Sequence, residues 1–304
     1  MSNVLLIGLG AMGFGMGRSL LRAGHAVCGI DIDAAVTARF VEVGGLGSSR
    51  AEAAATADIA ILVVVNARQT EDVLFGEGGI ADRLPNGAVV VSCATFAPEH
   101  AVDFESRLQA RNVLYLDAPI SGGSARAAEG KLSIMASGHP DAFAMAGAAL
   151  DAMAETVFEL GDRAGAGSAM KIVNQLLAGI HVLATAEAMC FGIGQGIDPH
   201  RMIEVITRSA GSSWMFQNRG PYIADGDYRP HSAVDIFVKD LGIVRQIAAA
   251  SGMSVRLADA AFERFQAARE AGYGSAGDVA VAKMYAEEGG IVLPEAARGR
   301  TGGS

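Results

Sequence analysis

The residues whose types and spacing could do chemistry begin at Gly8-Leu9-Gly10-Ala11-Met12-Gly13, directly after the apolar run Val4-Leu5-Leu6-Ile7. A G-x-G-x-x-G that leaves one strand and opens a helix, here Phe14–Ala23, has the pattern of a dinucleotide-binding turn. Gly8 permits the tight turn, Gly10 lets a pyrophosphate approach the backbone, and Gly13 lets helix pack on strand. Leu9, Ala11 and Met12 complete the loop, and the helix N-terminus offers unpaired N–H groups to phosphate. Asp31 ends the next apolar run. Its carboxylate can accept from a ribose hydroxyl and would repel a 2′-phosphate, and no Arg or Lys follows it before Arg39. The expected cofactor is therefore NAD rather than NADP. Asp31 read as a helix N-cap is the alternative, and it does not exclude ribose contact. Val65, Asn66 and Thr95, at the ends of later apolar runs, are further candidates for cofactor contact. From spacing alone each reads equally well as a turn residue.

A second set could handle a substrate. In Asp117-Ala118-Pro119-Ile120-Ser121-Gly122-Gly123, the Ser121, Gly122 and Gly123 N–H groups could hold a carboxylate, with room left by the missing side chains, although read alone such a segment is more often just a loop. Lys171, Asn174 and Gln175 stand at i, i+3 and i+4, so an ammonium and two amides share one face of an otherwise apolar helix. Burial lowers a lysine's proton affinity toward neutrality, which suits an acid and base for alcohol–carbonyl interconversion. A lysine snorkelling from a helix end, or paired with a carboxylate, is the competing reading. Lys239-Asp240 lies near the start of a later helix. Neighbours at i and i+1 do not face each other there, so at least one seeks an outside partner, unless the pair is simply a solvated surface charge. His181 reads as a core or subunit-contact histidine. No histidine has metal-ligand spacing, so no metal is expected.

The elements that must position these residues form two groups. Val4–Ile7, Ala26–Ile30, Ile59–Val65, Ala88–Ser92 and Val113–Leu116 read as strands buried on both faces, with Lys131–Ser137 and Thr156–Leu160 closing the set. Their alternation with helical stretches predicts an α/β domain, a parallel doubly wound Rossmann sheet. From Ser168 to Gly194 the pattern changes to one long helix, apolar on nearly every face, spanning roughly 40 Å. Pro199–Ser209, Ile236–Ser251, Val255–Ala271 and Asp278–Glu287 read as further helices. The predicted domains are a Rossmann domain at 1–164, an all-α domain at 165–295 opened by the long helix after Gly165-Ala166-Gly167, and a frayed tail at 296–304.

Composition excludes several classes. With 304 residues, 51% hydrophobic, 19% charged and a net charge of −9, the chain has core enough for two domains and lacks the basic patches of a nucleic-acid or anionic-membrane binder. Cys28, Cys93 and Cys190 are far apart in apolar surroundings and read as buried residues of a reducing compartment. Met1-Ser2-Asn3 leads directly into the first strand, with no secretory core. The apolar stretch at 176–191 is interrupted by His181 and Glu187, against a membrane span. The expectation is a cytoplasmic protein, with burial of the apolar helix against a second subunit in a homo-oligomer, dimer or tetramer.

Taken together, Val4–Gly10, Asp117–Gly123, Gly167-x-x-x-Lys171 and Lys239-Asp240-Leu241 resemble the β-hydroxyacid dehydrogenase family, over nearly the whole chain to about Tyr285. The resemblance implies a small hydroxy acid substrate and hydride transfer to NAD. It implies Lys171 as general acid/base and Ser121–Gly123 as the substrate-carboxylate site. Asn174 would orient substrate hydroxyls and Lys239 would reach the cofactor. Gln175 departs from the pattern, since many members carry a second Asn there. Gln175–His181, Ser213–Arg219 and Ser232–Phe237 are most similar to a subgroup that oxidises the C2 hydroxyl of a four-carbon sugar acid. In that setting Trp214 and Phe216 would wall a pocket with Asn218 and Arg219 as polar contacts, or all four would pack the second domain. Imine reductases share the architecture, but Lys171 and Asp31 argue against that activity. The intact lysine and the lack of a basic segment argue against a non-catalytic dinucleotide-binding module.

Overall fold

The computed structural model describes residues Met1–Ala296 and divides into two compact units, Met1–Ile172 and the chain from Val173 onward. The division falls inside the long helix, between Ile172 and Val173. Of the predicted tail, 297–304 lies outside the described residues.

The first unit is built from β1 (Asn3–Ile7), α1 (Gly13–Arg22), β2 (Ala26–Ile30), α2 (Ala34–Glu42), α3 (Arg50–Thr56), β3 (Ile59–Leu62), α4 (Ala67–Phe75), β4 (Val89–Ser92), α5 (Pro98–Gln109), β5 (Leu114–Asp117), β6 (Ile120–Ser121), α6 (Gly123–Glu129), β7 (Leu132–Gly138), α7 (Pro140–Met153) and β8 (Ala154–Glu159). The strands order as β2-β1-β3-β4-β5-β7-β6, with β8 on β7. Because side chains alternate across a strand, the apolar runs feed two cores. Leu6, Val27, Ile61, Val91 and Leu116 meet Met16, Leu20, Phe40 and the alanines of α7 on one face. Leu5, Cys28, Ala60, Leu62 and Tyr115 meet Ala54, Leu74 and Phe104 of α3, α4 and α5 on the other. Burial on both faces is why these strands carry no polar alternation.

The doubly wound parallel sheet is present as expected, and one antiparallel strand is added at its far side. From β2 to β5 every pairing is parallel, but β7 runs antiparallel to both β5 and β6. A parallel return needs a crossover that carries the chain back along the sheet. Here the connection from β6 to β7 holds only α6, seven residues long. That helix packs against α1, where Ser19 Oγ donates to Ala127 O at 3.1 Å and Arg22 Nη2 donates to Ala128 O at 2.6 Å. β6, two residues long, leaves no periodicity to read. Two other boundaries shift: β3 ends at Leu62, so Val63 to Val65 lie in the loop beyond it, and β5 extends to Asp117.

The long helix α8 runs Ala166–Gly194, 29 residues. By length and composition it could cross a membrane. In the second unit Val182, Ala186, Met189 and Cys190 of α8 are buried, and Cys190 Sγ lies 3.3 Å from Ala282 O. The helices α9 (Pro199–Ile206), α10 (Trp214–Ala224), α11 (Val234–Ser251), α12 (Arg256–Ala268) and α13 (Ala282–Gly289) complete that unit, with a short 3₁₀ turn at Asp278–Val281 before α13. α10 escapes the sequence reading because Gly220-Pro221 inside it is a breaker pair. Ser213, whose side chain accepts from Phe216 N, starts it regardless. The only strand-like contact among the described residues of this unit is the Ala233–Gly277 bridge.

Candidate active site

The glycine loop sorts into three different demands. Gly8 has φ +95°, and a Cβ there would sit 2.3 Å from Val63 O. At Gly13 a Cβ would sit 1.8 Å from Gly8 O, so helix α1 can lie this close to β1 only with glycine. At Gly10 a Cβ would meet nothing within 4 Å. The fold therefore requires Gly8 and Gly13 but not Gly10, whose bare backbone faces open space as a pyrophosphate would need. α1 has no side-chain cap at Met12, and although Phe14 N donates to Gly10 O at 3.2 Å, no side chain competes with a ligand at the helix start. Leu9 N donates to Asp31 Oδ2 at 2.7 Å, and Asp33 N donates to Asp31 Oδ1 at 3.0 Å. Asp31 thus ties the loop to the end of β2, and each carboxylate oxygen keeps a lone pair for a ribose hydroxyl. The N-cap of α2 is Asp33 instead, accepting from Ala35 N. These residues fit a bound NAD.

Val65, Asn66 and Thr95 lie in loops at the same carboxyl edge of the sheet. Val65 N donates to Gln69 Oε1, and Asn66 caps α4 by accepting from Gln69 N at 2.9 Å. Thr95 is half-buried beyond β4.

The Ser121-Gly122-Gly123 turn joins β6 to α6, with φ +137° at Gly122 and +80° at Gly123. A Cβ at Gly123 would meet nothing within 4 Å, so the turn is open on that side. Lys171 is buried, and its Nζ donates to Ile120 O at 2.8 Å, one residue before the turn. The amine and the turn are therefore neighbours within the first unit.

What holds them together carries no chemical signature in the sequence. Asp117, fully buried at the end of β5, receives Gly165 N at 3.0 Å, Ser168 N at 2.7 Å and Ser168 Oγ at 2.7 Å. Ser137 Oγ in turn accepts from Gly167 N at 2.9 Å. A Cβ on Gly167 would fall 2.4 Å from Met135 O, so the helix start is pressed onto the sheet. Asp117 thus satisfies the otherwise unpaired N–H groups that open α8. Burial pushes its carboxyl above the usual range, opposed by the hydrogen bonds from Ser168, Gly165 and Ser137. An acidic residue ending an apolar run, with a serine helix start farther on, was the available signal.

In the second unit, Asn174, Gln175, Lys239 and Asp240 form one chain of contacts. Asn174 Nδ2 donates to Gln175 Oε1 at 3.0 Å, Gln175 Nε2 donates to Asp240 Oδ2, and Lys239 Nζ lies 2.7 Å from Asp240 Oδ1. Asp240 takes the outside partner expected for one member of the Lys239-Asp240 pair, and the two also contact each other. A lysine stem is long enough to fold back on its neighbour, while buried Asp240 also takes the outside partner Gln175. Arg219 belongs to a different cluster: its Nε donates to buried Asp278 at 2.9 Å. Phe216 is buried, whereas Trp214 is half-exposed. His181 is half-buried, and its carbonyl accepts from Thr185 Oγ1 at 2.7 Å.

The cysteines are free and buried. Burial pushes the Cys93 thiol up to about 12 and Cys190 up to about 11, so neither is a thiolate near neutrality. Among the described residues no group of three His, Cys, Asp or Glu side chains is placed to hold a metal ion.

Comparison with known proteins agrees with this geometry. Residues 3–161 match the NAD-binding domain of 6-phosphogluconate dehydrogenase, and residues 165–285 match the NAD-binding domain of NADP-dependent 3-hydroxyisobutyrate dehydrogenase. The chain is 48% identical to the L-threonate dehydrogenase of Cupriavidus necator, covering 96% of this chain and 98% of the relative. It is 43% identical to that of Escherichia coli K12, covering 97% of each. A solved 3-hydroxyisobutyrate dehydrogenase from Salmonella typhimurium superimposes with a TM-score of 0.88 at 43% identity, over 92% of this chain and 99% of that one. A glycine loop shaped for a dinucleotide, a buried lysine beside an open Ser-Gly-Gly turn and full-length relatedness have one common account: the chain belongs to the β-hydroxyacid dehydrogenase family, NAD-binding oxidoreductases that include 3-hydroxyisobutyrate dehydrogenase.

Proposed function

We propose that the protein is an NAD-dependent L-threonate dehydrogenase, oxidising the C2 hydroxyl of L-threonate to a 2-oxo acid. The reaction class is carried by Lys171, a buried amine held 2.8 Å from the carbonyl that precedes the Ser121–Gly123 turn. The substrate is supported by 41–48% identity to several L-threonate dehydrogenases over nearly their full length.

In this reading the Ser121–Gly123 turn holds the substrate carboxylate on backbone N–H groups. Lys171 Nζ, oriented by Ile120 O, takes the C2 hydroxyl proton as the C2 hydride departs. Bound NAD supplies the hydride acceptor. Gly10 and the uncapped start of α1 seat its pyrophosphate, and Asp31 accepts from the adenosine ribose, which favours NAD over NADP. Val65, Asn66 and Thr95 line its path along the sheet edge. Asn174 orients a substrate hydroxyl, with Gln175 behind it. The domain limits of this reading are 1–164 and 165–295.

The apolar face that α8 leaves exposed supports a homo-oligomer, and the free, buried cysteines suit the reducing cytoplasm.

Two measurements test the proposal. Purified enzyme is assayed by NADH absorbance with L-threonate, D-erythronate, 3-hydroxyisobutyrate and D-glycerate, each with NAD and NADP. L-threonate with NAD is expected to give the highest kcat/KM; a higher value for 3-hydroxyisobutyrate overturns the substrate. Lys171→Ala is expected to lose 10²–10⁴ in turnover, the usual worth of general acid–base catalysis, with NADH binding retained. Turnover within about tenfold of wild type overturns the role of Lys171.

A further inference from the structure

From the contact chain of the second unit we infer that Asp240, through Gln175, fixes which end of the Asn174 amide meets the substrate, and so selects hydroxy acids that bear a second hydroxyl beside the carbinol. The inference rests on the reading that Asn174 touches substrate.

An amide has two ends of nearly equal shape and opposite hydrogen-bonding sense, so its orientation is set by its neighbours. A carboxylate can only accept. Asp240 is buried and makes an ion pair with Lys239, so it presents an acceptor to Gln175. Gln175, also buried, must therefore turn Nε2 toward Asp240 and Oε1 away from it. Oε1 in turn accepts from Asn174 Nδ2 at 3.0 Å, which points Asn174 Oδ1 out of the chain of contacts. Each group in the sequence Asp240, Gln175, Asn174 is thus committed by the one before it. The end turned away from Gln175 carries Oδ1, an acceptor.

An acceptor in that place favours a ligand that brings a donor. A hydroxyl on the carbon next to the carbinol satisfies Asn174 Oδ1, whereas a methylene or methyl leaves it desolvated and unpaired. Asymmetry of this kind lets a site reject an analogue that lacks the hydroxyl. Glutamine at position 175 has the reach to span from Asn174 to Asp240, which gives its extra methylene a purpose. Asp240 is a positioning residue in this account, because it acts only through Gln175 and Asn174.

The test compares kcat/KM for L-threonate with kcat/KM for 2-hydroxybutanoate of the same C2 configuration, which lacks the other hydroxyls. Wild type is expected to prefer L-threonate by at least about tenfold, the worth of one well-placed hydrogen bond. Gln175→Met removes the link at nearly constant volume, and the preference is expected to fall about tenfold toward unity. Asp240→Asn, which can present either a donor or an acceptor, is expected to lower the same ratio and serves if Gln175→Met fails to fold. A purely structural role lowers both rates together and leaves the ratio where it was, and that result overturns the inference. So does a wild type with equal activity on the two acids. An enzyme that turns over neither acid overturns the L-threonate reading and the inference with it.

Discussion

At the scale of single residues, the three glycines of the loop look alike in sequence and do different work. Gly8 and Gly13 are needed because a Cβ would strike backbone at 2.3 Å and 1.8 Å, respectively. Gly10 has no such neighbour, so its absent side chain matters to a ligand and not to the fold. Gly10→Ala is therefore expected to keep the wild-type Tm within the roughly 0.5 kcal/mol typical of benign surface changes, while NADH affinity measured by fluorescence titration falls at least about tenfold. Gly13→Ala is expected to fold poorly or not at all. Equal loss of stability in both variants would assign Gly10 to the fold. The spacing of these glycines was legible from the sequence. Which one serves the ligand was not, because that depends on how closely Val63, far along the chain, approaches Gly8 and on how tightly the loop folds Gly13 onto Gly8 O.

At the scale of elements, the link that matters is the one between β5 and α8. Asp117 brings the first turn of α8 onto the sheet and so fixes Lys171 beside the Ser121–Gly123 turn. Asp117→Ala leaves the Gly165 and Ser168 N–H groups unpaired in the core, at roughly 1–3 kcal/mol each. Asp117→Asn is milder, because its Oδ1 can accept from both N–H groups while the Ser168 hydroxyl turns to accept from its Nδ2. The two carboxylate states also predict a pH dependence. The folded-state proton affinity of Asp117 is raised, mainly by burial, so its contribution to stability is full below the ordinary carboxylate value near 4 and is lost as pH rises through its elevated one. Its titratable neighbours Cys93 and Tyr115 are themselves pushed upward by burial and stay neutral through that range. Urea denaturation at several pH values is expected to show wild type losing ground to Asp117→Asn as pH rises from about 4. A constant difference between the two would remove the shift. The sequence marks Asp117 only as a polar end to an apolar run. Its partners at Ser137, Gly165 and Ser168 become neighbours only when β7 inserts beside β5, an antiparallel step that β6 and α6 leave no periodic trace of.

At the scale of the whole molecule, the apolar character of α8 exceeds what the second unit covers. Val182, Ala186, Met189 and Cys190 are buried within it, but Val173, Leu177 and Phe191 are 55%, 48% and 69% exposed. A second copy covering this stripe satisfies the same hydrophobic demand, in a symmetric pairing of like surfaces. Leu177→Glu, at an exposed position, is expected to leave the monomer fold intact and to shift light-scattering mass toward a smaller species. An unchanged mass would mean that this stripe is not a subunit contact.

The sequence by itself determined the features that act over short range or by period. These are the glycine loop with Asp31, the buried parallel strands β1 to β5, the long apolar helix, and the pairing of Lys171 with Asn174 and Gln175 on one helix face. Each follows from backbone geometry within a few residues, so it is written locally. The tertiary structure alone decided the antiparallel β7, the capping of α8 by Asp117, and the contact of Lys171 with Ile120 O. It also decided the relay from Asp240 through Gln175 to Asn174. All of these join residues far apart in the chain, and in the last three a buried polar group takes a complementary partner that folding brings within reach. Local pattern holds no record of such a partner, because desolvation creates the need for it only after the chain has packed.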